Sequence, residues 1–167
     1  APLPERRNPV MKHQQLMDTE ERPKGIQKIR RLPDAALGAL WDSIIMDEAE
    51  KARLLSQAVL NFTVRPQVPR SVIPLHGVIL LVGPPGTGKT TLARGLAHRV
   101  AESFSGGRFR LLEVEPHSLA SAAHGKTQRA VTDLFSQSIA EAAASGPTIV
   151  LLDEVETLAA DRSKLSL

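Results

Sequence analysis

The sequence predicts an α/β fold in which a parallel sheet is flanked by helices, and three observations carry that prediction. A continuous apolar run at Val78–Val82 and a second at Thr148–Leu152 read as buried strands, and Phe109–Val114 reads as a strand between them in the chain. The segments between them place apolar residues at helical spacing. Turn formers punctuate the borders, with Gly83-Pro84-Pro85-Gly86, Gly106-Gly107 and Gly146-Pro147 standing where one element must give way to the next. Strand, helix, strand, helix, strand is the alternation of a parallel sheet with crossover helices.

Residues 1–31 show no sustained period, contain Pro2, Pro4, Pro9 and Pro23, and carry eight basic against four acidic groups. They read as a poorly ordered leader rather than a nucleic-acid arm, because acids are interspersed and aromatics are absent. Pro33-Asp34 opens an apolar segment from Ala35 to Ile45, and Asp47 with Glu50 resembles a capping box ahead of a helix bearing Ala52, Leu55, Ala58 and Val59. The prolines of Arg65–Pro74 mark a connector. Val78–Val82 is then the first strand of the sheet. Leu92, Leu96, Val100 and Phe104 outline an amphipathic helix, Phe109–Val114 the second strand, and Val131, Leu134, Phe135 and Ile139 share a face of the next helix. Thr148–Leu152 is the third strand.

Composition narrows the chemistry. The 167 residues include no cysteine, which excludes disulfides, thiolate metal sites and a cysteine nucleophile and agrees with a reducing, cytoplasmic setting. No apolar run reaches the roughly 18 residues of a membrane helix. The five histidines are scattered without metal-ligand spacing, and no strained nucleophile turn surrounds Ser118 or Ser121 near His117 and His124.

Gly83-Pro84-Pro85-Gly86-Thr87-Gly88-Lys89-Thr90 satisfies the phosphate-binding loop pattern in full, with Thr91 continuing into the helix. Glycines let backbone amides close around phosphates, and the helix presents its positive end to them. Lys89 can reach the β- and γ-phosphates, and the Thr90 hydroxyl can ligate Mg2+. A chance match in a chain of this length has a probability on the order of half a percent. Thr148–Leu152 ends in Asp153-Glu154, at the strand end where ligands of parallel sheets bind. Asp153 is expected to hold the magnesium, through water, and Glu154 to orient the attacking water. Binding alone would not need Glu154, so the pair predicts ATP hydrolysis, with Glu154 and Lys89 as the catalytic residues.

These motifs resemble the AAA+ branch of the P-loop NTPases. Leu40-Trp41-Asp42-Ser43-Ile44-Ile45, His117-Ser118-Leu119, Val131–Phe135 and Asp153–Leu158 are further similar to the pachytene-checkpoint (thyroid-receptor-interactor) remodelers, over roughly 32–162. The resemblance implies a homohexameric ring that spends ATP to unfold part of a HORMA-domain protein. The short leader points to the bacterial members, which act beside a nucleotidyltransferase and HORMA proteins in anti-phage signalling. No membrane partner is expected, and the HORMA-domain partner is favoured over nucleic acid. Two departures stand out. Ala123, beside His124, occupies the place of the aromatic that grips substrate in such motors. The family also places a further strand, an arginine finger, sensors and a helical lid after the second motif, so residues 32–167 are expected to be the N-terminal part of the ATPase domain, incomplete at the C-terminus. The readings from other classes are a nucleic-acid motor or clamp or helicase loader, favoured by the basic leader and opposed by Glu156, and a nucleotide-binding scaffold without turnover.

Overall fold

The computed structural model describes residues 25–69, 71–73, 76–114 and 126–155. In chain order the elements are β1 (Ile26–Leu32), α1 (Ala35–Ser43), α2 (Glu48–Val64), α3 (Lys89–Glu102), β2 (Phe109–Val114), α4 (Lys126–Asp133), a π-helical segment (Leu134–Ile139), α5 (Ala140–Ala144) and β3 (Thr148–Leu152). The strands form one sheet in the order β1-β2-β3.

β2 and β3 are parallel, with Arg110 opposite Thr148 and Val114 opposite Leu152. Alternation along both strands feeds two cores. Phe109, Leu111, Ile149 and Leu151 pack with α1 and α3, whereas Leu112, Val114, Val150 and Leu152 pack with Leu134, Ile139 and Ala142 on the opposite face. The sheet is therefore covered on both sides, which is why β3 is apolar from Ile149 to Leu152 and β2 is apolar except at Arg110 and Glu113. α3 contributes Leu92, Leu96 and Val100 to the first core, each burial of such a side chain stabilising by about 1.5–3 kcal/mol. Phe62, Phe104 and Phe109 close one end of it, with ring centroids 5.1–6.1 Å apart.

Four expectations are corrected. The leader does not extend to residue 31: from Ile26 the chain forms β1, paired antiparallel with β2 from Ile26 opposite Val114 to Leu32 opposite Phe109. Its pattern is broken by an irregularity between Ile26 and Lys28, and its partner lies far along the chain, so no local period reveals it. The sheet is consequently mixed rather than all parallel. Val78–Val82 joins no ladder. Ile79 and Leu81 pack against the first core while Val78, Leu80 and Val82 are 73, 70 and 85% exposed, so the segment is buried on one face, not two. A strand is completed by its neighbours, and no described strand runs beside this one. Finally, Phe135 does not share the buried face of Leu134; it is exposed. The wider π turn sets Leu134 and Ile139, five positions apart, on the same core, a spacing that regular helical periodicity does not anticipate.

Candidate functional site

The loop between Val82 and α3 is shaped to present backbone donors. Gly86 and Gly88 have φ of 77° and 83°, the left-handed region that a side chain disfavours. Gly88 is also the N-cap of α3 and supplies no side-chain cap. The first amides of α3 thus have no intrahelical partner and sit at the helix's positive end, where an anion satisfies both needs. Thr87 Oγ1 donates to the Pro84 carbonyl at 2.9 Å, closing the loop on itself. Lys89 Nζ donates to the Gly83 and Pro84 carbonyls at 2.9 and 2.7 Å. These are exposed bonds to neutral acceptors, which an ammonium readily exchanges for a charged phosphate oxygen.

Thr90 and Thr91 follow in the first turn of α3, both half-buried. The Thr90 hydroxyl donates to Asp153 Oδ2 at 2.7 Å, joining the loop helix to the residue that follows β3. With its proton given to the carboxylate, the hydroxyl keeps its lone pairs for a hard cation. Asp153 Oδ1 accepts from the Glu154 N–H at 3.0 Å. Glu154 has φ 50°, uncommon for a residue with a side chain, so the chain leaves β3 in a sharp turn at the two acids. Among the described residues no group of three or more His, Asp or Glu gathers to hold a metal. A hydroxyl and a carboxylate at the mouth of a phosphate loop suit magnesium, which keeps waters and takes its remaining ligands from phosphate oxygens. The residues therefore fit that ion.

Beside the loop lies a cleft of about 510 Å³, lined by Ile44, Ile45 and Met46, by Leu80–Val82 and by Gly83, Pro84 and Thr87–Lys89, with Leu92 at its base. Ile45 is fully exposed there. This wall was missed as part of the site, although Leu40–Ile45 carried the family resemblance. The available signal was three apolar residues in the short connection between α1 and Asp47, where a solvent-facing turn would be polar.

A second feature absent from the sequence reading is a polar stripe along α3 at every fourth residue, on from Thr90. Arg94 donates to Glu113 Oε2 at 2.7 Å, and Arg30 Nε donates to Glu113 Oε1 at 3.0 Å, so a buried carboxylate on β2 sits between two guanidiniums. Arg30 also pairs with Asp34 at 3.4 Å. One turn beyond Arg94, His98 Nδ1 accepts the Asp34 N–H at 3.0 Å. Nearby, Asp42, with help from Glu102, holds the Arg99 guanidinium above its ordinary value. The residues expected at a substrate-gripping loop (Ala123, His124) and Glu156 lie outside the described residues.

Comparison with known proteins bears on this geometry. Residues 79–166 match the family model for the ATPase family associated with various cellular activities (AAA). The chain is 79% identical over 145 residues to CD-NTase-associated protein 6 of Pseudomonas aeruginosa, covering 87% of this chain and 48% of that protein. It is 40% identical over 139 residues to the pachytene checkpoint protein 2 homolog of Gallus gallus, covering 79% and 32%. The solved structure of C. elegans PCH-2 aligns with a TM-score of 0.63 at 32% identity, covering 81% of this chain and 37% of that one. The chain thus spans about half the length of the first of these relatives and about a third of the others.

Proposed function

The chain belongs to the AAA family of ATPases, and from that premise we propose that it binds ATP with magnesium at Gly83–Thr91 and hydrolyses it to remodel a HORMA-domain partner. The observation that carries the reading is the bond from Thr90 to Asp153, which joins the loop helix to the acidic end of β3. Loop amides and Lys89 would hold the phosphates, and Lys89 would give up its two carbonyl partners to do so. Thr90 and Asp153 would hold the magnesium, which supplies charge neutralisation for the phosphate oxygens when bound. Ile44, Ile45 and Met46 would cover one face of the base, removing the exposed Ile45 side chain from water. Glu154, at the turn after Asp153, would orient water for attack and take its proton.

The partner class, a hexameric assembly and a place in anti-phage signalling follow from likeness to the checkpoint and CD-NTase-associated proteins. Against the nucleic-acid motor, Arg30 in the basic N-terminal stretch is committed to Glu113 and Asp34 rather than to an open basic face. The test uses the intact protein. Glu154→Gln should keep magnesium-dependent ATP binding and lose phosphate release, and a HORMA-domain protein should stimulate hydrolysis by the unmodified protein. Stimulation by duplex DNA alone would replace the remodeler with the nucleic-acid motor, and unchanged turnover in Glu154→Gln would remove Glu154 from catalysis.

A further inference from the structure

His98 is buried on α3, two turns beyond Thr90, and the phosphate chemistry has no use for it. Its Nδ1 accepts the Asp34 N–H, so its proton sits on Nε2, which faces Glu102 Oε1 at 3.2 Å. Asp34 is the N-cap of α1: its side chain accepts the Ala36 N–H at 2.9 Å and its carbonyl accepts from Leu37 and Gly38. The imidazole therefore grips the first turn of α1. The approach is close, since a Cβ on Gly38 would lie 2.6 Å from His98 Nε2. From this joint α1 leads to its C-cap Ile44 and on to Ile45 and Met46, which line one side of the cleft, while α3 begins at Lys89, which lines it too. The spacing of the two helices thus sets the distance from wall to phosphate loop.

We propose that His98 is a positioning residue that fixes this distance and so favours ligands touching both surfaces, a nucleoside triphosphate over inorganic triphosphate. The inference rests on the nucleotide reading of the site. A purely structural His98 would weaken both ligands alike when replaced, because loosening α3 disturbs the phosphate loop that both ligands need. A positioning role weakens only the ligand that spans wall and loop.

The experiment measures binding of magnesium-ATP and of magnesium tripolyphosphate, with thermal unfolding, to the intact protein and its variants. His98→Ala should lose about tenfold in magnesium-ATP affinity, roughly one hydrogen bond's worth, and less than about twofold for tripolyphosphate. His98→Asn places a carbonyl oxygen near the position of Nδ1 and should recover most of the loss. Gly38→Ala drives a Cβ into the His98 imidazole, displacing the ring from the Asp34 N–H or parting the helices, and should reproduce the loss, which keeps the test alive if His98→Ala unfolds. Equal losses for the two ligands, or variants that bind both like wild type, overturn the inference alone. Wild-type protein that binds neither ligand overturns the nucleotide reading and this inference with it.

Discussion

The Thr90 hydroxyl donates a 2.7 Å hydrogen bond to Asp153 Oδ2 across 63 positions of the chain. It links two motifs that the sequence shows only as separate strings, and it orients the hydroxyl's lone pairs away from the carboxylate. Thr90→Val keeps the shape and removes the oxygen. Disturbing a metal's support ordinarily costs about 10- to 100-fold in affinity, so magnesium-dependent ATP binding should fall by that amount. ATP binding in EDTA should change far less. Calorimetric titrations in the two buffers check this, and equal losses would place the hydroxyl's role outside the cation.

Lys89 gives a contrasting case. Its two bonds go to exposed neutral carbonyls, and such bonds contribute only about 0.5–1.5 kcal/mol net. Lys89→Met should therefore leave the unfolding midpoint nearly unchanged while removing most nucleotide affinity, because a charged phosphate loses its ammonium. Thermal melts with and without ATP read both. The unmodified protein should gain a ligand-induced shift that the variant lacks. A large drop in the ligand-free midpoint would mean the lysine chiefly holds the loop.

The geometry at Gly83–Thr90 and at Asp153-Glu154 was legible because each feature there is local: a glycine conformation, a helix start, a strand end. β2, β3 and α3 were legible for the same reason, since apolar runs and helical spacing report burial directly. What stayed hidden depends on partners remote in the chain. β1 is defined by Phe109–Val114, and Arg30 is placed by Glu113, 83 positions away. Ile44–Met46 becomes a wall only once α1 docks on α3. Val78–Val82 illustrates the converse, since its composition promised a doubly buried strand and no neighbouring ladder completes it among the described residues.

Glu113 is nearly fully buried between Arg30 and Arg94, whose side chains are 26 and 34% exposed. Glu113→Gln removes the charge that both guanidiniums answer. Breaking a buried pair costs about 3–5 kcal/mol, and partial exposure of both partners brings the expected loss to the lower end, about 3 kcal/mol. Denaturant unfolding at fixed pH measures it. A double variant, Glu113→Gln with Arg94→Met, should recover part of the loss by removing one stranded cation, because the two changes share an interaction. Strict additivity would show that Arg94 does not depend on Glu113.

Gly95 poses a conflict that magnitudes decide. It lies in the middle of α3, where alanine is intrinsically favoured by about 1 kcal/mol. A Cβ there would sit 2.7 Å from Trp41 Cβ and 2.8 Å from Trp41 Cα and N. Two of those atoms are backbone, so no side-chain rotation relieves the overlap and α1 must move. Overpacking of this kind costs about 1–3 kcal/mol, which outweighs the propensity gain at the upper end and roughly cancels it at the lower. Gly95→Ala should thus be neutral to about 2 kcal/mol destabilising rather than stabilising. Because relief comes by lifting α1, which carries Ile44–Met46, the same variant should bind magnesium-ATP more weakly even where its unfolding midpoint is unchanged. A stabilised Gly95→Ala with wild-type ATP affinity would show that α1 is free to yield and does not register the cleft.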